Sequence, residues 1–288
     1  MLGIDPGPSE RKGLAVYDPE RSEGHFHVVP AGEARRWIEG QREEASAAGR
    51  PLLIGWDAPL SADFAFSYTQ RPIEQYLNSK AFKREFNDPL TPGVSVQGYG
   101  GCPHWTISVD VLGHPSPDHL APTPDNRLAL LSPDRALDVT GVLETHPALA
   151  VAMCWSDGKV PKYKGRVKKG ELRADLRKNV KRITAFLAEQ ALAHFGAAWE
   201  DLPANYCEDD DFLDAEVSYL CVAAALRGKA ILLGDHRMGG FTVPATKRST
   251  VAQARYKVFE QDALKKRQKR RTRTWPRDPS RAVAPPSE

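Results

Sequence analysis

The sequence predicts an α/β fold, a sheet layered with helices, and three observations carry that prediction. Short apolar runs read as buried strands at 2–5, 13–17, 24–30 and 51–56. A stretch of helical composition over 31–49 separates the third run from the fourth and closes at Gly49, a normal helix stop. From residue 138 onward, strand and helix patterns alternate, as they do where helices cover a sheet.

Each element follows from its own residues. Met1, Leu2 and Ile4 open a strand that meets Asp5 at once, and Pro6, Gly7 and Pro8 forbid its continuation. GLAVY, at 13–17, starts the second strand, and 24–30 has alternating character. PLLIGWD is a further apolar run that ends on Asp57, with Pro59 just beyond. Residues 61–138 lack a simple period and hold many Pro, Gly and His, so they read as a loop-rich insertion on the core rather than a second domain. Order returns with a strand at about 139–144 that again meets a carboxylate, Glu144, and soon a proline, Pro147. A helix is expected from Ala148. A basic loop, KVPKYKGRVKKG, then leads to a long amphipathic helix over about 171–196. EDDDFLDAEVSYLCVAAALRG reads as another helix, and AILLG and GGFTVPA as short strands. The expected organisation is one domain over 1–252 and a basic tail over 253–288.

Composition narrows the function classes. The 288 residues are 41% hydrophobic and 27% charged, as in an ordinary soluble globular protein. No run of about 18 apolar residues occurs, the least that a spanning helix needs. Neither a basic lead nor an apolar h-region precedes the first strand, so no secretory signal is expected. The four cysteines (102, 154, 207 and 221) show no CxxC spacing, so reduced thiols and a cytoplasmic location are the expectation. His25 with His27, and Cys102 with His104, are close pairs, but no second pair completes a tetrahedral zinc site. The net charge of +3 hides an asymmetry: 255–288 holds eleven Lys/Arg against four acids, which leaves 29 basic residues against 33 acidic ones elsewhere. Such an arm suits a polyanionic partner, and a solvated tail is the plainer alternative.

The repeated strand-end carboxylates are the informative pattern. Desolvating a charge is costly unless it is paired or binds a cation, yet Asp5, Asp57 and Glu144 all stand where apolar strands finish. In open α/β sheets, strand ends are where ligands gather. Asp211 and Asp214 are spaced i, i+3, so both project from one face of their helix. Oxygen ligands from separate strands and one helix suit hard divalent cations such as Mg²⁺ or Mn²⁺. Taken singly, Asp5 and Asp57 also read as turn residues, and the acids before Phe212 as a helix cap.

LGIDPGPSERKGLAVYD resembles the first hairpin of RuvC-type Holliday junction resolvases, in which a strand ending in IDPG carries the first metal-binding Asp. The series WDAPL, ETHP, YKG and DxxDA, closing with GGFTVPA, is closer still to domain-of-unknown-function family 429, a predicted RNase H-like nuclease family. The resemblance covers roughly 1–60 and 138–246. It implies an RNase H-like mixed sheet with helices on both faces, and a hydrolase that cleaves phosphodiester bonds of a nucleic acid using two ions, Mg²⁺ or Mn²⁺. It implies Asp5, Asp57, Asp211 and Asp214 as metal ligands. Glu144 and His146 match the family's Glu-x-His-Pro motif. Glu144 is expected at the same sheet edge as an outer ligand or water-orienting group, and His146 as a phosphate contact or proton shuttle, with a plain helix-capping turn as the alternative. RuvC proteins carry Glu where this chain has Asp57, and the insertion has no resolvase counterpart.

For the substrate, Lys162, Tyr163, Lys164, Arg166, Lys168 and Lys169 form a basic loop between two site-bearing elements, placed to hold phosphates. The tail adds further charge, with Trp275 available to stack on a base. Two other classes stay open: a non-catalytic nucleic-acid-binding protein on an RNase H-like scaffold, and a phosphotransferase of the actin and sugar-kinase group. The last is disfavoured by a single set of strands and no GxxxxGK[ST] loop.

Overall fold

The computed structural model describes residues 1–6, 13–21, 25–60, 71–86, 108, 111–112, 128–134, 137–156, 159–164, 174–196, 210–235 and 239–274. Three strands, β1 (Leu2–Asp5), β2 (Gly13–Tyr17) and β3 (Phe26–Pro30), form an antiparallel meander. Helix α1 (Ala31–Ala47) follows and stops as its sequence predicts. Gly49 adopts φ 66°, its N–H donates to the Ser46 carbonyl, and the Arg50 N–H donates to the Ala45 carbonyl. A left-handed glycine closes a helix in that way without steric cost.

The chain re-enters the sheet through β4 (Leu53–Trp56), which lies parallel beside β1. Strands β5 (Ala129–Leu131) and β6 (Gly141–Glu144) extend the parallel side, so the six-stranded order is β3-β2-β1-β4-β6-β5. This mixed sheet is consistent with the RNase H-like arrangement expected. Within 61–138 the short helices α2 (Pro72–Leu77) and α3 (Lys80–Glu85) and strand β5 were not foreseen. Ile73, Phe82, Val111 and Leu112 are fully buried, so parts of this stretch belong to the core.

Helices cover both faces. On one, Ala34 and Ile38 of α1 pack with Leu2, Ile4, Ile54, Trp56 and Val142. On the other lies α6 (Asp210–Leu226), with α4 (Pro147–Cys154) and α5 (Ala174–His194) behind it. The contact of α6 with the sheet is backbone on backbone. A Cβ on Gly3 would stand 1.8 Å from the Ala215 carbonyl oxygen, and one on Gly55 would stand 2.3 Å from that of Ser218. Only glycine admits such an approach.

The hairpin of β7 (Ala230–Asp235) and β8 (Gly239–Pro244) follows, and then α7 (Lys247–Thr274). Thr246 and Ser249 cap α7 reciprocally, each accepting from the other's backbone N–H at 2.8 and 3.1 Å. The helix runs through position 253, where composition turns basic, and its own Tyr256 is fully buried. No helix among the described residues is long and apolar enough to cross a membrane.

Candidate metal centre

Strand register decides which acids meet. Ile4 is paired with Trp56, and the Asp57 N–H donates to the Ile4 carbonyl at 2.9 Å, so Asp5 and Asp57 emerge as neighbours one step beyond. Both lie two residues past a glycine that faces α6, and alternation therefore points both at that helix. Asp214 stands there, one residue before the Ala215 carbonyl that touches Gly3. One carboxylate oxygen from each of Asp5, Asp57 and Asp214 lies within 4.8 Å of the others. Asp5 and Asp214 are buried and Asp57 is partly exposed, which leaves the group one side open to solvent.

The electrostatics are those of crowded acids. Burial pushes the Asp5 carboxyl well above the usual range, and the charges of Asp57, Asp214 and Asp211 add to the rise while Lys164 offsets part of it. Burial raises Asp57 to about 6 against the pull of Lys164. Asp214 is raised to about 7, chiefly by burial, with Lys164 opposing and Asp57 reinforcing. Carboxylates held this way favour either a proton or a cation. Three hard oxygen donors at this spacing can hold a metal ion. Asp211 is buried on the same helix and acts on Asp5 and Asp57 through its charge, but it is not one of the three oxygens that converge.

Two residues expected to contact nucleic acid bond Asp214: Tyr163 from within the core, and Lys164 from a partly exposed position. Tyr163 is only 4% exposed, packs in the main core cluster and donates its hydroxyl to Asp214 Oδ1 at 2.8 Å. Burial and the Asp214 charge push its phenol pKa up, so it remains a donor. Lys164 forms an ion pair with Asp214 Oδ2. Burial alone would lower its pKa, but Asp214, Tyr163, Asp57 and Asp5 outweigh that and hold the ammonium charged. Lys162 is exposed, and its carbonyl accepts from Asn179 Nδ2 at 2.6 Å. Arg166, Lys168, Lys169 and Trp275 lie outside the described residues.

Glu144 does not join the cluster. It is in register with Trp56, one position before Thr145, which is the residue that follows Asp57's face and bonds Ser218 of α6 at 2.9 Å. Glu144 therefore leaves on the other face of the strand. There Arg71 pairs with Glu144 Oε1 at 2.6 Å and with Glu74 Oε1 at 2.5 Å, and all three side chains are buried. His146 sits edge-on to Phe241 at 5.1 Å, and burial, Lys164 and Arg71 lower its pKa to about 3. The lowered value favours the neutral imidazole, against the proton shuttle near neutrality that the motif suggested. His146 is the N-cap residue of α4, the position the capping alternative gives it; its carbonyl accepts from the Ala150 N–H at 2.9 Å, and its side chain makes no cap bond. Arg71 was missed because its role depends on how a segment of the insertion packs, which no local pattern displays.

Comparison with known proteins bears on the same residues. Residues 126–238 match the family model described as protein of unknown function DUF429. That stretch is similar to the DUF429 family. The DUF429 segment runs from β5 through α6 into β7, so it carries Tyr163, Lys164 and Asp214, while Asp5 and Asp57 precede it. No curated protein and no solved structure matches the chain.

Proposed function

We propose that the protein is a divalent-metal-dependent nuclease that hydrolyses phosphodiester bonds of a nucleic acid. The observation that carries this reading is the convergence of Asp5, Asp57 and Asp214, whose oxygens lie within 4.8 Å of one another at the end of two strands and on one helix. A divalent ion held there would activate water and neutralise charge on the phosphate. Asp5 and Asp214, buried and fixed by the glycine contacts, hold the ion's position; Asp57 stands on the solvent side, where a phosphate would approach. Tyr163 orients Asp214 by its hydrogen bond to Oδ1, while Lys164 pairs with Oδ2. The exposed Lys162 offers a phosphate contact without base reading, and the basic C-terminal sequence supplies further positive charge.

The test is cleavage of labelled single-stranded DNA, duplex DNA, RNA and a four-way junction with Mg²⁺ or Mn²⁺. Cutting should require the ion and vanish in Asp5→Asn, while nucleic-acid affinity stays or rises. Undiminished cutting by Asp5→Asn would falsify the nuclease reading, and binding without cutting by the intact protein would leave the non-catalytic alternative.

A further inference from the structure

We infer that Lys164 occupies the place of a second cation, so that the centre holds a single resident divalent ion with the Lys164 ammonium as its fixed companion charge. The inference rests on the metal-centre reading above and replaces the pair of ions that the sequence led us to expect.

The lysine is placed by the fold rather than by a flexible stem. Val160 and Tyr163 are buried in the core on either side of the turn that delivers it. Tyr163 is tied to Asp214, and the Lys162 carbonyl is tied to Asn179 of α5. The ammonium then bridges to Asp214 Oδ2, the same carboxylate whose other oxygen takes the tyrosine. Asp214 is thus shared between a tyrosine, a lysine and the Asp5–Asp57 pair.

Charge closes the argument. With a cation in place of their protons the three converging carboxylates carry three negative charges, and Lys164 and one divalent ion bring three positive ones. A second divalent ion beside the ammonium paired with Asp214 would be unbalanced even with Asp211 included, and like charges in contact with one carboxylate repel each other. With Lys164 gone, the four acids Asp5, Asp57, Asp211 and Asp214 would match two divalent ions. One residue therefore sets the number of ions.

The test is a Mn²⁺ titration of the full chain by calorimetry, with electron paramagnetic resonance to detect spin-coupled ions. The wild-type protein should bind one ion in this centre, and Lys164→Arg should do the same. Lys164→Met, which keeps the aliphatic length, should bind two coupled ions, with the first held about tenfold more tightly once the like charge is removed. Coupled ions in the wild-type protein, or one ion at unchanged affinity in Lys164→Met, would overturn the inference. Unchanged Mn²⁺ binding in Asp5→Asn would overturn the metal centre and this inference with it. One ion in the wild type and two in Lys164→Met, without cutting of any nucleic acid, would uphold the inference and remove only the nuclease activity.

Discussion

Asp57→Asn should stabilise the metal-free protein, and only above a definable pH. The Asp57 carboxyl is raised from 3.8 to about 6, first by burial, with Asp211 adding to the rise and Lys164 opposing it. Because the folded-state value is the higher one, the protonated acid favours folding below pH about 4, and that contribution is lost as pH rises through about 6. The gap corresponds to about 3 kcal/mol at about 1.4 kcal/mol per pH unit. Asparagine copies the neutral acid in shape and never ionises. Urea denaturation with a chelator should find the variant and the wild type nearly equal at about pH 4, and the variant more stable by up to about 3 kcal/mol at about pH 7.5. Adding Mn²⁺ at the higher pH should reverse the order, since only the wild type keeps all three oxygens. An equal difference at both pH values, or a variant less stable at the higher one, would refute the crowding argument.

Four other outcomes follow from the same geometry. Gly3→Ala should cost several kcal/mol, of the order seen for overpacked cores, and weaken Mn²⁺ binding, because its Cβ would stand 1.8 Å from the Ala215 carbonyl oxygen; thermal unfolding and calorimetry read the two effects. Arg71→Met leaves two buried carboxylates facing each other and should cost about 3–5 kcal/mol in a chemical melt, with Mn²⁺ affinity the same within error. Tyr163→Phe removes a bond to a charged acceptor worth about 1.5–3 kcal/mol, and a smaller loss in a urea melt would count against a full hydrogen bond there. Deleting 265–288 should lower nucleic-acid affinity and flatten its salt dependence while sparing Mn²⁺ binding; the cut must fall after Tyr256, which is fully buried.

Asp5 and Asp57 were legible because each directly ends a short apolar run, and the parallel register of β1 and β4 keeps those ends level. Asp214 was legible from helix spacing, since the helix carrying it needs no partner to define its faces. Glu144 was misread for a reason the sequence hides. Strands β4 and β6 end level, but Glu144 is the last residue of its strand whereas Asp57 lies one residue past the end of its own, and a single-residue offset exchanges the two faces of a strand. Tyr163 and Lys164 stand in a lysine-rich loop, and composition alone reads such a loop as solvated; the signal overlooked was Val160 and Tyr163, two apolar side chains in a basic run, both buried. Strand β5 is three residues long and follows a proline-rich stretch, too short to show a period. Arg71 has no local signature, because its meaning arises only when Glu74 and Glu144 meet it across the fold.

The glycine contacts beneath α6 bear on how freely this protein can vary. Where a helix rests on a sheet through interlocking side chains, the distance between them drifts as those side chains change volume. Here the peptide groups of Ala215 and Ser218 meet the strands with nothing between, so the separation of Asp214 from Asp5 is fixed by the thickness of the main chain. Apolar positions such as Val217 and Leu220 lie in the layer behind that contact. They can exchange for other aliphatic residues without moving the acids. Tolerance to substitution should therefore be wide across that layer and close to nil at Gly3 and Gly55, two positions that never touch the ion they help to seat.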